Sequence, residues 1–144
     1  MSYIDFVSVN TKFKSSVNLQ YDLYNEEKIL QYVPTTDLCD VIEKYIDSIC
    51  SGSNNSTLLA GPYGKGKSYL MLMITYLLSK RTNKGLFNKI ASKIGKINKT
   101  LENKLRKIDE EGLAFLPVII NNSSDDIDKN FMVSLNNALK FAGL

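Results

Sequence analysis

The residues of this chain whose types and spacing could do chemistry are concentrated between Gly61 and Ser68, which read Gly-Pro-Tyr-Gly-Lys-Gly-Lys-Ser. This run fits G-x-x-x-x-G-K-[ST], the pattern of a loop that cradles the phosphates of a nucleotide. Glycines let the backbone bend so that consecutive N–H groups point into one concavity. The start of the following helix adds the positive end of its dipole. The spacing therefore predicts a phosphate-binding loop.

The residues of this loop have separate predicted roles. Pro62 has no N–H group, so its position must need no donor. We expect Lys67 to reach the β- and γ-phosphates of ATP and the Ser68 hydroxyl to be a ligand of Mg²⁺. Lys65 is a second cation that, in the alternative interpretation, faces solvent. The predicted nucleotide-binding residues are Gly61, Pro62, Tyr63, Gly64, Lys65, Gly66, Lys67 and Ser68. Ser68 is the one predicted metal ligand, and no catalytic residue is predicted.

The segments on both sides of the loop match what the pattern requires. A β-prone apolar run at 56–60 follows turn-forming residues, which predicts a strand before the loop. From Lys67 to Arg81 the chain has no Gly or Pro and is rich in Leu and Met, which predicts a helix. This helix has almost no polar face, so we expect it to be buried on most sides. The alternative, a glycine-rich turn leading into a buried helix, is less favoured by these flanks.

Length and composition restrict the class of protein. The chain has 144 residues, 44% of them apolar, which suits a single globular domain. No apolar window is long enough to span a membrane, and the N-terminus lacks the basic region and the apolar core of a signal peptide. These observations predict a cytoplasmic location. Without histidine, the usual zinc sites and all Ser-His or Cys-His catalytic arrangements are excluded. Cys39 and Cys50 would lie about 16 Å apart on one helix, which is too far for a disulfide. We expect both to be small buried residues without chemistry.

The remaining segments predict mostly helices. Short strands or an extended arm are expected at 1–19, and a helical turn at 25–32. An amphipathic helix is expected to begin at Pro34-Thr35-Thr36-Asp37 and to stop at Gly52. The apolar run 113–120 predicts a buried parallel strand, with 118–120 as its regular part because Pro117 cannot donate. Ser124 to Asp126 are expected to cap a last helix; a metal-binding acid is the less favoured alternative.

A strongly basic segment lies at 80–107, where ten Lys or Arg residues stand against a single acid, Glu102. Apolar residues repeat every three or four positions from Leu86 to Ile108, which predicts an amphipathic helix of roughly twenty residues. Gly95 in its middle costs about 1 kcal/mol and argues against one straight helix. The basic surface could bind nucleic acid through phosphates, or it could simply be a solvated face, which we favour.

This order of elements predicts an α/β fold: a P-loop NTPase-like, three-layer architecture with a parallel sheet. Residues 1–33 are predicted to form an N-terminal arm or short strands, and 34–144 the N-terminal part of a nucleotide-binding domain. Only two strands are supported, whereas sheets usually have about five or six. No strand ends in an acid. We therefore expect an incomplete fold, in which the acids needed for hydrolysis lie beyond residue 144, so that hydrolysis by this chain alone is doubtful. The alternative function is a nucleic-acid-binding or scaffold fragment that uses 80–107.

Several segments also carry a resemblance to a known family. They are Ser16–Leu23, Tyr32–Thr35, the loop Gly61–Ser68 and Leu116–Ile120. Together they resemble the opening of large bacterial ATP-binding proteins of the AAA type, some of which belong to phage-defence or restriction-like gene clusters. The resemblance implies an ATPase that acts on or beside DNA within a multi-protein system and that could form oligomers. Only the loop is a specific motif.

Overall fold

The computed structural model describes residues 16–52, 56–62, 64, 66–79, 83–120 and 126–144. The predicted strands or arm at 1–19 lie almost entirely outside these ranges. Within them the chain forms helices joined by short connections. The helices are α1 (Leu19–Asp22), α2 (Glu26–Leu30), α3 (Thr36–Cys50), α4 (Lys67–Leu78), α5 (Lys84–Gly95), α6 (Lys99–Glu110) and α7 (Ile127–Ala142).

The predicted α/β fold with a parallel sheet is wrong for the described part of the chain, which contains no strand and no sheet. The one trace of β-pairing there is an isolated parallel bridge between Ser79 and Phe115. In it the Phe115 N–H donates to the Leu78 carbonyl oxygen at 2.8 Å. A single bridge does not build a ladder, and the architecture that positions the loop is helical.

Both predicted strands fail for the same physical reason. The segments 56–60 and 116–120 have no regular secondary structure, and Leu58 is 90% exposed. Leu116 and Ile120 also remain substantially exposed. A β-prone sequence becomes a strand only when a neighbouring strand takes its hydrogen bonds and one face is covered. Neither segment has such a neighbour among the described residues.

The core is built by helices α2 to α6. Ile29 and Tyr32, from α2 and the residues that follow it, enter the same core as the longer helices. The described part of the predicted N-terminal arm therefore packs on the helical body. Fully buried side chains of the longer helices include Ile42, Ile46, Leu72, Met73, Leu77, Phe87, Ile90, Ile94, Leu101 and Leu105.

The helix predictions at α3 and α4 are confirmed. Thr35 is the N-cap of α3 and accepts a hydrogen bond from the Leu38 N–H at 3.4 Å. Both cysteines are free thiols; Cys39 is buried as expected, but Cys50 is exposed. In α4, which was expected to be buried on most sides, Met73 is fully buried but Met71 is 37% exposed.

The predicted helix of roughly twenty residues is instead two antiparallel helices, α5 and α6, which pack closely against each other. Asn98 separates them, because its side-chain oxygen accepts from the Leu101 N–H at 2.9 Å and caps α6. Gly95 ends α5 at a close approach to α6. A Cβ atom there would lie 1.9 Å from the Oε2 atom of Glu102. The glycine is thus required by helix packing.

The last helix, α7, lies outside the core. Its predicted cap is confirmed, since the Asp126 carboxylate accepts from the Lys129 N–H at 3.0 Å. None of its residues is buried, and Ile127 is 76% exposed. The ring of Phe141 stacks on Tyr24 at a centroid distance of 5.7 Å. Among the helices of the described ranges, none combines the length and apolar character that crossing a membrane requires.

Candidate phosphate-binding site

Two glycines of the loop have backbone that only glycine adopts readily. Gly64 and Gly66 have φ angles of +80° and +76°, which lie in the left-handed region. A side chain at either position would strain the backbone. Gly66 is the N-cap of α4, and its carbonyl accepts the Leu70 N–H at 2.9 Å, which starts the helix. The two glycines therefore turn the chain directly into α4.

The N-terminus of α4 has no side-chain cap. Gly66 has no side chain that could accept from the first amides of the helix, in contrast to Thr35 at α3 or Asn98 at α6. The first N–H groups of a helix have no partner within the helix, and together with the dipole they attract anions. The first N–H groups of α4 therefore lack a capping side chain, whereas the corresponding groups of α3 and α6 have one.

The Lys67 side chain folds back over the loop. Its Nζ atom donates to the carbonyl oxygens of Gly61 and Pro62, both at 2.6 Å. A Cβ atom on Gly61 would lie 3.7 Å from the Lys67 Cδ atom, an ordinary contact. The predicted phosphate-binding cation is therefore held at the loop by the loop's own carbonyl groups.

The structure brings most of the predicted residues together on one surface. Lys67 is partly buried; the exposed members are Gly61, Pro62, Gly64, Gly66 and Ser68. Tyr63 and Lys65 lie outside the described residues, so their predicted roles stay predictions. Among the described residues, no cluster of three or more His, Cys, Asp or Glu side chains could hold a metal. Ser68, in the first turn of α4, therefore remains the one predicted ligand of Mg²⁺.

An aromatic anchor, which the sequence did not indicate, fixes the first turn of α4. The Tyr69 hydroxyl donates to the carbonyl of Lys28 in α2. Its ring stacks on Tyr32 at a centroid distance of 5.9 Å. Burial, together with the nearby charge of Asp22, raises the pKa of Tyr69, and burial raises that of Tyr32 further. Both phenols thus stay neutral at physiological pH, and the anchor does not titrate there.

A buried ion pair supports the same region. Lys28 Nζ contacts the Asp22 carboxylate at 2.6 Å, and both side chains are nearly inaccessible to solvent. The Asn18 N–H donates to the same carboxylate at 2.7 Å, and Lys28 also donates to the Ser16 carbonyl at 3.0 Å. Asp22 and Lys28 lie on different helices and six positions apart, so no periodic pattern could have paired them.

The basic segment is less available than its sequence suggests. Lys104 binds Glu43 at 2.8 Å and Asp47 at 2.6 Å, while Lys99 and Arg106 both bind Glu102 at 2.6 Å. Hydrogen bonds from Lys104 and Asn98 lower the pKa of Glu43, and those from Lys99 and Arg106 lower the pKa of Glu102. In addition, Lys93 donates to the Leu30 carbonyl, and Lys107 lies 3.8 Å from Glu111.

These contacts use the basic side chains to join α2, α3, α5 and α6. Among the described Lys and Arg residues of the segment, only Lys84, Lys89 and Lys96 form neither an ion pair nor a hydrogen bond through the side chain. Several basic side chains of 80–107 are thus paired within the fold, and nucleic-acid binding by this segment stays a prediction.

Chemically, the described residues of the loop offer backbone donors, the ammonium group of Lys67 and the hydroxyl of Ser68 for a metal. This set can bind a phosphate chain, but it contains no acid, base or nucleophile of the kind that hydrolysis requires. No family model, no curated protein and no solved structure matches this chain.

Proposed function

We propose that the loop Gly61–Ser68 binds the phosphates of a nucleoside triphosphate, ATP with Mg²⁺. The observation that carries the proposal is the uncapped N-terminus of α4, which two left-handed glycines, Gly64 and Gly66, introduce. An uncapped helix start with a lysine in its first turn is a favourable anion site. The sequence pattern adds the preference for a nucleotide.

In the bound state, the Lys67 ammonium would exchange the carbonyls of Gly61 and Pro62 for phosphate oxygens. The carbonyl oxygens are neutral, whereas phosphate oxygens carry negative charge, so this exchange adds an attraction between opposite charges and favours binding. The amides at the start of α4 would donate to the same phosphates, and the Ser68 hydroxyl would hold Mg²⁺. The metal would neutralise phosphate charge, while this chain's own residues bind and orient the ligand.

The wider setting is part of the proposal. We place the chain in the cytoplasm, as a part of an ATPase that acts beside DNA or with partner proteins and that could form oligomers. The support is the loop motif together with the resemblance to large ATP-binding proteins of the AAA type. Hydrolysis would depend on acidic residues, which the loop Gly61–Ser68 does not contain.

Titration calorimetry with Mg-ATP tests the proposal directly. Lys67→Ala should weaken binding by about 10- to 100-fold, the equivalent of one charged hydrogen-bonding group. The matched control is Lys84→Ala on α5, an exposed lysine without an ion pair among the described residues, which should leave the affinity unchanged. Equal affinity of wild-type and Lys67→Ala protein, or no binding by the wild type, would overturn the proposal.

A further inference from the structure

An apolar groove of about 450 Å³ lies between α3, α4 and the segment 56–59. Leu70 and Ile74 of α4 form its buried floor. Val41 and Tyr45 of α3 stand on one side and Leu59 on the other. The volume falls within the range of about 300–1,000 Å³ that is typical of small-molecule sites.

Residues that line the groove precede and follow the phosphate-binding loop along the chain. Leu59 precedes Gly61 by two residues, and Leu70 follows Lys67 by three. Because a helix rises about 1.5 Å per residue, the wall that α4 supplies extends from about 4.5 Å to about 10 Å beyond Lys67. A ligand whose phosphates lie at the start of α4 could therefore place its other end along the flank of the same helix.

The rim of the groove is polar. Ser56 and Thr57 are exposed on the side of the loop, and Lys44 and Ser48 are on the side of α3. Lys44 forms no ion pair among the described residues. Hydroxyl groups above an apolar floor suit a flat ring that has apolar faces and hydrogen-bonding edges.

We propose that this groove receives the base and ribose of the nucleotide, so that the ligand of the loop is a nucleoside triphosphate and not a simple polyphosphate. This inference rests on the proposed function of the loop. A phosphate chain is charged along its whole length and gains nothing from the apolar floor of Leu70 and Ile74. A nucleobase buries its ring faces there, between Tyr45 and Leu59, while its edges remain near the hydroxyls of the rim.

The experiment compares Mg-ATP with magnesium tripolyphosphate, which has the phosphates but no base, by titration calorimetry at constant salt. ATP should bind at least about tenfold more tightly, equivalent to about 1.4 kcal/mol. Thr57→Trp and, as an independent second variant, Ser56→Trp place a large ring at the rim of the groove. Each should reduce ATP affinity to that of tripolyphosphate and leave the tripolyphosphate affinity unchanged. The control is Thr100→Trp, at an exposed position of α6, which should change neither.

The outcomes separate this inference from the function on which it rests. Equal wild-type affinities for ATP and tripolyphosphate would overturn the groove assignment and leave phosphate binding by the loop intact. An equal loss for both ligands in the Thr57 and Ser56 variants would also overturn it, because the effect would then lie in the loop. If neither ligand binds to the wild-type protein, the proposed function itself fails. Thermal melts establish that each variant is folded before it is titrated.

Discussion

Replacement of Gly95 by alanine tests the close packing of α5 against α6, the two helices found where the sequence predicted one. Alanine normally stabilises a helix by up to about 1 kcal/mol relative to glycine, and by less at a last helical residue such as this one. Here, however, the new Cβ atom would lie 1.9 Å from Oε2, 2.5 Å from Cδ and 3.1 Å from Cβ of Glu102. The two side chains cannot both keep their positions.

The Glu102 side chain cannot move freely to make room. Its Oε2 atom accepts from Lys99 at 2.6 Å, and its Oε1 atom accepts from Arg106 at 2.6 Å and 2.9 Å. Its side chain is only 7% exposed. Overpacking of a fitted contact costs about 1–3 kcal/mol. Because this exceeds the propensity gain, we expect Gly95→Ala to destabilise the protein by about 1–2 kcal/mol, or roughly 3–6 °C in Tm.

A double-mutant cycle measured by urea denaturation separates the two effects. In a Glu102→Ala background the carboxylate is absent and only the contact with the Cβ atom of residue 102, at 3.1 Å, remains. Gly95→Ala should therefore destabilise this background by at least about 1 kcal/mol less than it destabilises the wild type. If Gly95→Ala stabilises the wild-type protein, or if its effect is the same in both backgrounds, the close approach of α5 and α6 at this point is wrong.

Three further predictions concern stability. Hydrogen bonds lower the pKa of Glu43 in the folded state, so its stabilising contribution is present above its ordinary pKa of 4.5 and is lost as pH falls through the lower folded value. The Tm measured from pH 7 to 3 should therefore fall less for Glu43→Gln than for the wild type. Equal slopes of Tm against pH would contradict this. Leu101→Ala should lower the free energy of unfolding, measured by urea denaturation, by about 2–5 kcal/mol because it leaves a cavity at a fully buried position. Leu58→Ala, at an exposed position, should change it by no more than about 0.5 kcal/mol. A comparable loss for Leu58→Ala would mean that the segment 56–60 is buried. Tyr69→Phe removes the hydroxyl that binds the Lys28 carbonyl and should lower stability by about 0.5–1.5 kcal/mol, and an unchanged midpoint would show that this hydrogen bond contributes nothing.

Local signals in the sequence located most of the helices. Thr35 and Asp126 were recognisable as caps, because a short side-chain oxygen before an apolar repeat satisfies the first amides of a helix. The apolar character of α4 predicted its burial, and Leu70, Leu72 and Met73 are buried. The loop between Gly61 and Ser68 was also visible, because glycine is the residue that left-handed backbone at Gly64 and Gly66 requires.

Other features depended on contacts between distant parts of the chain. The segment 56–60 and the run 113–120 have the composition of strands, but composition cannot provide a neighbouring strand. Gly95 appeared to be a helix-weakening residue, whereas the structure shows that Glu102 of the next helix occupies the space beside it. The charge of 80–107 was compatible with a nucleic-acid-binding surface or, as we favoured, a solvated face, whereas Lys104 in fact reaches Glu43 and Asp47 of α3.

The sequence by itself determined the helices α3, α4 and α7, the caps at Thr35 and Asp126, and the glycine and lysine positions of the loop, because these depend on interactions within a few residues. The tertiary structure alone decided that no sheet forms in the described residues and that the basic side chains tie helices together. It also decided where Lys67 lies, because its two carbonyl partners at Gly61 and Pro62 depend on how the loop folds back. It further showed that Tyr69 and Lys28 hold the start of α4. Such pairings join residues far apart in sequence, and only the folded chain brings them within reach.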